Sequence, residues 1–370
     1  MTNENNDRRG ADLIEPTPRS LAFSLVIGAL GGAVFEIMLL PLPWMLGAMA
    51  FTAAAAIKGQ PVGISGPIRN IMIAVIGVLL GSAFNPEMAQ QIGQWLTSIA
   101  LLSLFLLFVA LAVPWFLQSA GYDRATAYFS ALPAGLTEMT IIGKENGGNA
   151  QIIALTHTVR VLLIAFAIPF TMVMLMGYER PTISGPSLGS LTIIDVNLLF
   201  LSGWAGLWLG KRFSIPAGAL VGPLALSAAI HLAGLTASSP PGILVAVAQV
   251  VLGTSVGCRF SGLTIATSKR TICLATVVTI TLLALSGSVA FGFGPMIGVE
   301  PLAFLLALSP GGVTEMSLMA LALNQDTAFV TTHHVVRIAL IVMIGPLFYA
   351  AFLRWRVKLG QPSNSRKNQE

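Results

Sequence analysis

Two stretches of this 370-residue chain carry residue types suited to binding or moving a charged solute. Leu132-Pro133-Ala134-Gly135-Leu136-Thr137-Glu138-Met139 recurs 177 residues later as Ser309-Pro310-Gly311-Gly312-Val313-Thr314-Glu315-Met316. His157-Thr158-Val159-Arg160 recurs as His334-Val335-Val336-Arg337 at the same offset. A carboxylate, an imidazole and a guanidinium in apolar surroundings are costly unless partnered, and at membrane depth they usually mark an ion or substrate pathway. The Pro/Gly breaks add backbone chemistry. Proline removes an N–H and glycine permits the angles of a reversal, so each segment should turn at Pro133 to Gly135 and at Pro310 to Gly312. A second half-helix then starts with free N–H groups able to hold an anion. Thr137 and Thr314 are expected as its N-caps, with Glu138 and Glu315 in the first turn.

The two motifs should meet in space. His157 and Arg160 stand three apart on one helix face, as do His334 and Arg337. A buried arginine needs an anionic partner, and the neighbouring glutamate is the candidate, giving Glu138–Arg160 and Glu315–Arg337 pairs that pin the breaks or exchange with substrate. His157 and His334 titrate near neutral pH when unperturbed and are candidates to carry a coupling proton. The expected substrate-binding set is therefore Pro133, Gly135, Thr137, Glu138, His157, Arg160, Gly311, Gly312, Thr314, Glu315, His334 and Arg337. His333 has Thr156 at its counterpart position and His231 matches nothing useful, so neither belongs to the set.

The elements that must hold these residues are membrane helices. Twenty Lys plus Arg and fifteen Asp plus Glu make only 9% of the chain charged, where a soluble domain carries about 25%. Apolar residues reach 55% and the mean hydropathy is +0.82. Seven charges fall in residues 1–19 and six in 354–370, leaving an interior of apolar blocks. These lie near 21–40, 42–57, 70–84, 93–118 and 150–175, then 191–210, 215–234, 241–258, 271–293 and 327–352, about ten crossings. The blocks at 42–57 and 70–84 are short for a span. The sequence pI of about 9.5 reflects single basic residues between blocks, with no aromatic-interleaved basic stripe, so no nucleic-acid partner is expected.

Lys and Arg in the connections set the orientation. The N-terminal tail, Lys58 with Arg69, Arg124, Lys211-Arg212, Arg259 with Lys269-Arg270, and Arg354, Arg356 and Lys358 all fall on the cytoplasmic side if each half crosses five times. Six crossings per half would put the second-half positives outside. The odd count makes 125–146 and 301–325 re-entrant hairpins and inverts the halves relative to each other. Arg180, beside Glu179, dissents. The layout is a polar cytoplasmic tail (1–19), a first membrane repeat (20–178), a linker (179–190), a second repeat (191–353) and a basic cytoplasmic tail (354–370). The polar first residues lack a cleavage signature and read as a retained tail.

Duplication extends beyond the motifs. Gly77, Gly81 and Phe84 match Gly253, Gly257 and Phe260, and Pro41 with Gly47 matches Pro216 with Gly222. The glycine pairs should permit close helix packing. Inverted duplication with interrupted segments at corresponding positions is the pattern of secondary transporters. Cys258 and Cys273 show no paired spacing, and no cofactor, metal or phosphate-loop motif is present.

The paired P-[AG]-G-[LV]-T-E-M and H-[TV]-V-R-[VI] motifs resemble those of the AbrB-type family of bacterial integral membrane proteins, over about residues 20–352. That family is also labelled ammonia monooxygenase, and its members are described as polytopic inner-membrane proteins with a part in regulating gene expression. The resemblance implies an all-α polytopic protein in the bacterial inner membrane. It implies nothing of the small soluble DNA-binding regulator that shares the name.

Three functions compete. The leading one is a non-enzymatic secondary transporter of a small polar or anionic solute, with H+ or Na+ as candidate coupling ions. The second is a membrane-embedded regulator or sensor, for which the short tails offer no soluble output domain. The weakest is a membrane monooxygenase, since four histidines offer few ligands for copper or iron. A homo-oligomer is left open. Reporter fusions after Ile64 and after Arg212 should both read as cytoplasmic; a split result would restore a parallel six-plus-six layout.

Overall fold

A computed structural model describes residues 16–86, 93, 95–175, 177, 190–262 and 265–358. The first fifteen residues, the linker carrying Glu179 and Arg180, and the tail beyond residue 358 lie outside the described residues. Those described form an all-α protein. Its helices are α1 (Pro18–Ile37), α2 (Pro43–Ile57), α3 (Gly66–Gly81), α4 (Trp95–Ser119), α5 (Arg124–Ala131), α6 (Leu136–Glu145) and α7 (Ala150–Phe170), then α8 (Ile193–Arg212), α9 (Gly218–Leu232), α10 (Gly242–Cys258), α11 (Ile265–Phe293), α12 (Pro301–Leu308), α13 (Val313–Ala322) and α14 (Thr327–Lys358).

Each of the ten apolar blocks is a helix, and each broken stretch is two half-helices. Helices α1, α4, α7, α8, α11 and α14 are long and apolar enough to cross a membrane. Their outer faces confirm the solvent: Phe200, Trp204 and Trp208 follow one another at i, i+4 and i+8 along α8, all exposed. Such a stripe is tolerable against lipid and a liability in water.

The short helices α2, α3, α9 and α10 hold 15, 16, 15 and 17 residues. At 1.5 Å per residue they span roughly 22–26 Å against a hydrocarbon core of about 30 Å. They pack on one another, flanked by α1 and α8. The contacts cross between the halves: α2 packs on α10, α3 on α9, and α3 on α10. Glycine makes them close. A Cβ on Gly77 would sit 2.7 Å from the Leu220 carbonyl oxygen, and one on Gly257 would sit 2.7 Å from Thr52 Cβ. Later residues of α10 meet later residues of α2, since Gly253 lies on Met45 and Gly257 on Met49, so these two run in the same direction. Helix α3 against α10 is opposite, with Arg69 near the start of one beside Arg259 just past the end of the other.

The remaining helices form a second sub-bundle, again across the halves, with α7 on α11 and α4 on α14. The broken segments sit inside it as hairpins. In the first, the Asn149 N–H donates to Thr126 Oγ1 at 2.7 Å and Gly143 abuts Phe129, so α6 returns alongside α5. In the second, Phe304 of α12 packs edge-on against Phe329, while Thr331 donates to Ser317 of α13, both on the first turns of α14. The two sub-bundles meet chiefly where α3 passes α13 and α14.

One sign of duplication was invisible in the residue types. Leu39 and Leu42 before α2, and Ser214 and Ala217 before α9, adopt positive φ of 56°, 45°, 49° and 52°. Left-handed backbone costs such residues about 1–2 kcal/mol each, yet both pairs recur at an offset of 175. The two loops follow one path.

Gly253→Val should lower the thermal midpoint in detergent by an amount corresponding to about 2 kcal/mol, since the added carbons meet backbone on α2. Gly287→Ala, where a Cβ meets nothing, should leave the midpoint unchanged.

Candidate functional site

The site begins with carbonyl groups that proline leaves without partners. In α5 the Phe129 carbonyl would accept from residue 133, but Pro133 has no N–H. His157 takes its place, with Nε2 2.9 Å from that oxygen. In α12 the Leu306 carbonyl faces the same loss at Pro310, and His334 Nε2 lies 3.0 Å away. The arginine one turn further along fills the rest. Arg160 donates to the carbonyls of Ala131 (3.4 Å) and Leu132 (3.2 Å), and Arg337 to those of Ser309 and Gly311 (2.6 Å each). A cation there also complements the negative end of the half-helix dipole. Each histidine–arginine pair is thus a C-terminal cap, delivered from the next full helix onto a half-helix 28 residues earlier.

This replaces the expected Glu–Arg pairs. The glutamates turn the other way, onto the start of their own helices. The N-caps are Gly135 and Gly312, which makes Thr137 and Thr314 N2 residues of the first turn and corrects their expected capping role. Glu138 and Glu315 sit at N3 and fold back over the N-cap, where a carboxylate favours the positive end of the dipole. Glu315 Oε2 also accepts from Thr314 Oγ1 at 2.8 Å. The glycines serve this fold-back. Their φ values of −60° and −74° are open to any residue, so backbone freedom is not their purpose. A Cβ at either position would lie 2.8 Å from the Cδ of its own glutamate.

Both hairpin tips open on one cavity of about 400 Å³ between the two sub-bundles. Gly135, Thr137, Glu138, His157, Arg160, Gly311, Gly312, Thr314, Glu315 and Arg337 line it. Pro133 and His334 do not; they are buried behind the tips, and Pro310 lines the wall where Pro133 does not. Arg160 and Arg337 are each 2% exposed, yet both present edges to the cavity. His157 is held neutral by geometry: its Nδ1 accepts from Arg160 at 2.7 Å, because a guanidinium only donates, and its Nε2–H donates to a carbonyl. Both ring nitrogens are engaged, which leaves none for proton carriage in this arrangement. His334 differs, its Nδ1 being buried without a partner among the described residues.

The other wall was missed. Arg69 and Asn70 of α3, Ser255 of α10 and Arg259 at its end face the hairpins. Arg259 stands in the field of Glu315, Glu138 and Arg69. Both arginines had been read as topology markers in short connections. Their position beside the glycine-packed helices was the available signal. Among the described residues, no group of three or more His, Cys, Asp or Glu lies close enough to hold a metal ion.

Fold and site together define a membrane-embedded helical protein in which two broken-helix hairpins, one per half, converge on a charged cavity. The chain belongs to the AbrB family, whose model, described as "Transition state regulatory protein AbrB", matches residues 9–353. It is 24% identical over 351 residues to "Uncharacterized protein YhjN" of Bacillus subtilis strain 168, covering 88% of this chain and 91% of that protein. It is 21% identical over 314 residues to "Putative regulator AbrB" of Escherichia coli K12, covering 83% and 89%.

If His157 serves to cap the carbonyl that Pro133 orphans, Pro133→Ala should blunt the cost of His157→Ala. Thermal unfolding of the two single variants and the double should show a coupling of about 1 kcal/mol. Additive losses would remove the capping account.

Proposed function

We propose that this chain is a secondary transporter of a small polar or anionic solute, working by alternating access in a bacterial inner membrane with both termini cytoplasmic. The observation that carries the reading is the meeting of both hairpin tips on one charged cavity at the seam between two sub-bundles. Broken helices facing a cavity are the usual construction of a binding site inside a membrane.

Inverted repeats fit the packing. Helix α3 and its repeat-mate α10 run in opposite directions at their shared end, and each sub-bundle draws equivalent helices from both halves. A two-fold axis in the membrane plane would relate them. Such an assembly would have two alternative openings, and the position of the cavity corresponds to one of them. The cavity lies at the start of α3, the start of α9 and the end of α10, whereas Ile76, Leu80 and Val245 towards the opposite end are tightly buried. Lys58, Arg69, Lys211, Arg212 and Arg259 cluster around the open end, which supports a cytoplasmic mouth. Movement of the hairpin sub-bundle against the α1–α3 and α8–α10 sub-bundle would close this mouth and open the other. The light contact between the two favours such motion.

A second reading draws on the name of the Escherichia coli relative: a membrane-embedded regulator would bind a solute in the same cavity without moving it. Counterflow in proteoliposomes separates the two. Wild-type protein should exchange internal for external solute, and Glu138→Gln and Glu315→Gln should abolish exchange while inserting normally. Binding without counterflow would favour the sensor, and full activity in both variants would remove the glutamates from the site.

A further inference from the structure

The fixed charges of the cavity do not cancel. Four arginines, Arg69, Arg160, Arg259 and Arg337, line it against two carboxylates, Glu138 and Glu315. His157 adds nothing, because its bond from Arg160 keeps it neutral. Two positive charges therefore remain without a counter-charge on the lining, in a space walled on several sides by Ile73, Leu252, Val256 and Ile338. Uncompensated charge in such surroundings is expensive unless an ion of opposite sign joins it.

The donors are arranged at two ends. On the α3/α10 wall, Arg69 has a buried Nε with no partner among the described residues, and Arg259 stands beside it. On the hairpin wall, the Nε atoms of Arg160 and Arg337 are buried and likewise unpartnered among the described residues. They lie next to the starts of α6 and α13, where backbone N–H groups face the same space. The glutamates fold over those helix starts and also oppose Arg259, leaving the cation count of the lining two above its anion count. Ile73 of α3, Leu252 and Val256 of α10 and Ile338 of α14 line the same space.

We infer that the cavity binds a small organic dianion of the dicarboxylate class, one carboxylate on Arg69 and Arg259 and the other at the hairpin tips against Arg160 and Arg337. The inference names the cargo of the proposed carrier and rests on that reading of the site. Charge count selects two negative charges. The apolar part of the lining and the volume of about 400 Å³ favour an organic dianion over a compact inorganic ion. The ligand would span the seam, so that its binding draws the two sub-bundles together.

The test uses the purified full-length protein in detergent, with thermal midpoint and titration calorimetry at constant ionic strength. The probes are succinate, glutarate, acetate, sulfate and glycerol. The dicarboxylates should raise the midpoint saturably, acetate should bind about tenfold or more weakly, and glycerol should do nothing. Arg259→Gln and Arg69→Gln should each weaken dicarboxylate binding about tenfold or more, with Arg259→Lys retaining part of it. The ligand-free midpoints of both variants report folding separately, and removing one of two neighbouring like charges should not lower them. Sulfate binding as tightly as succinate would overturn the organic assignment. Stabilisation by glycerol alone, no response to any anion, or dicarboxylate affinity unchanged in both folded Gln variants would overturn the inference. Dicarboxylate binding without succinate counterflow in proteoliposomes would leave the inference standing and remove the carrier. Counterflow of a neutral solute with no dicarboxylate binding would do the reverse.

Discussion

A helix interrupted inside a membrane leaves carbonyl and N–H groups with neither water nor intrahelical partners, and the architecture of this protein answers that constraint twice. Proline creates the deficit at Phe129 and Leu306, and a histidine and an arginine from the following helix repair it. Glutamate repairs the opposite end of the gap, aided by a glycine that leaves room for its carboxylate. The four residue types form one unit. Proline without histidine would strand a carbonyl, and arginine without the broken helix would be an uncompensated buried charge.

The same repair brings charged side chains to the cavity wall. Guanidinium groups drawn to the carbonyls bring positive charge to the tips, and carboxylates drawn to the helix starts line the same cavity. Arg160 and Arg337 each hold the backbone of a hairpin tip and also line the cavity. The opposite wall owes nothing to the breaks. Arg69 and Arg259 come from helices brought together by glycine packing, and their charges complete the site only because α3 and α10 lie side by side.

Packing across the halves explains why the chain forms two sub-bundles that each draw helices from both halves. Lipid is as apolar as leucine, so helix association in a membrane depends on close fit. Small residues on α2, α3, α9 and α10 supply that fit between the halves, which makes a central sub-bundle of mixed origin. The hairpins and long helices form the other. The midpoint of the chain and the seam between the sub-bundles accordingly do not coincide.

Composition and local chain chemistry alone determined that this is an all-helical membrane protein, where its apolar helices lie, that two motifs recur at an offset of 177, and that Pro133 and Pro310 break two helical segments. Each of these depends on residues near one another in the chain. The partners of Arg160 and Arg337, the N-cap role of Gly135 and Gly312, and the burial of Pro133 and His334 behind the cavity were decided only by tertiary structure. So was the arrival of Arg69 and Arg259 opposite the hairpins. Hydropathy records how apolar a helix is and not which helix it touches, and the net charge of a site depends on residues that only packing brings within reach of one another.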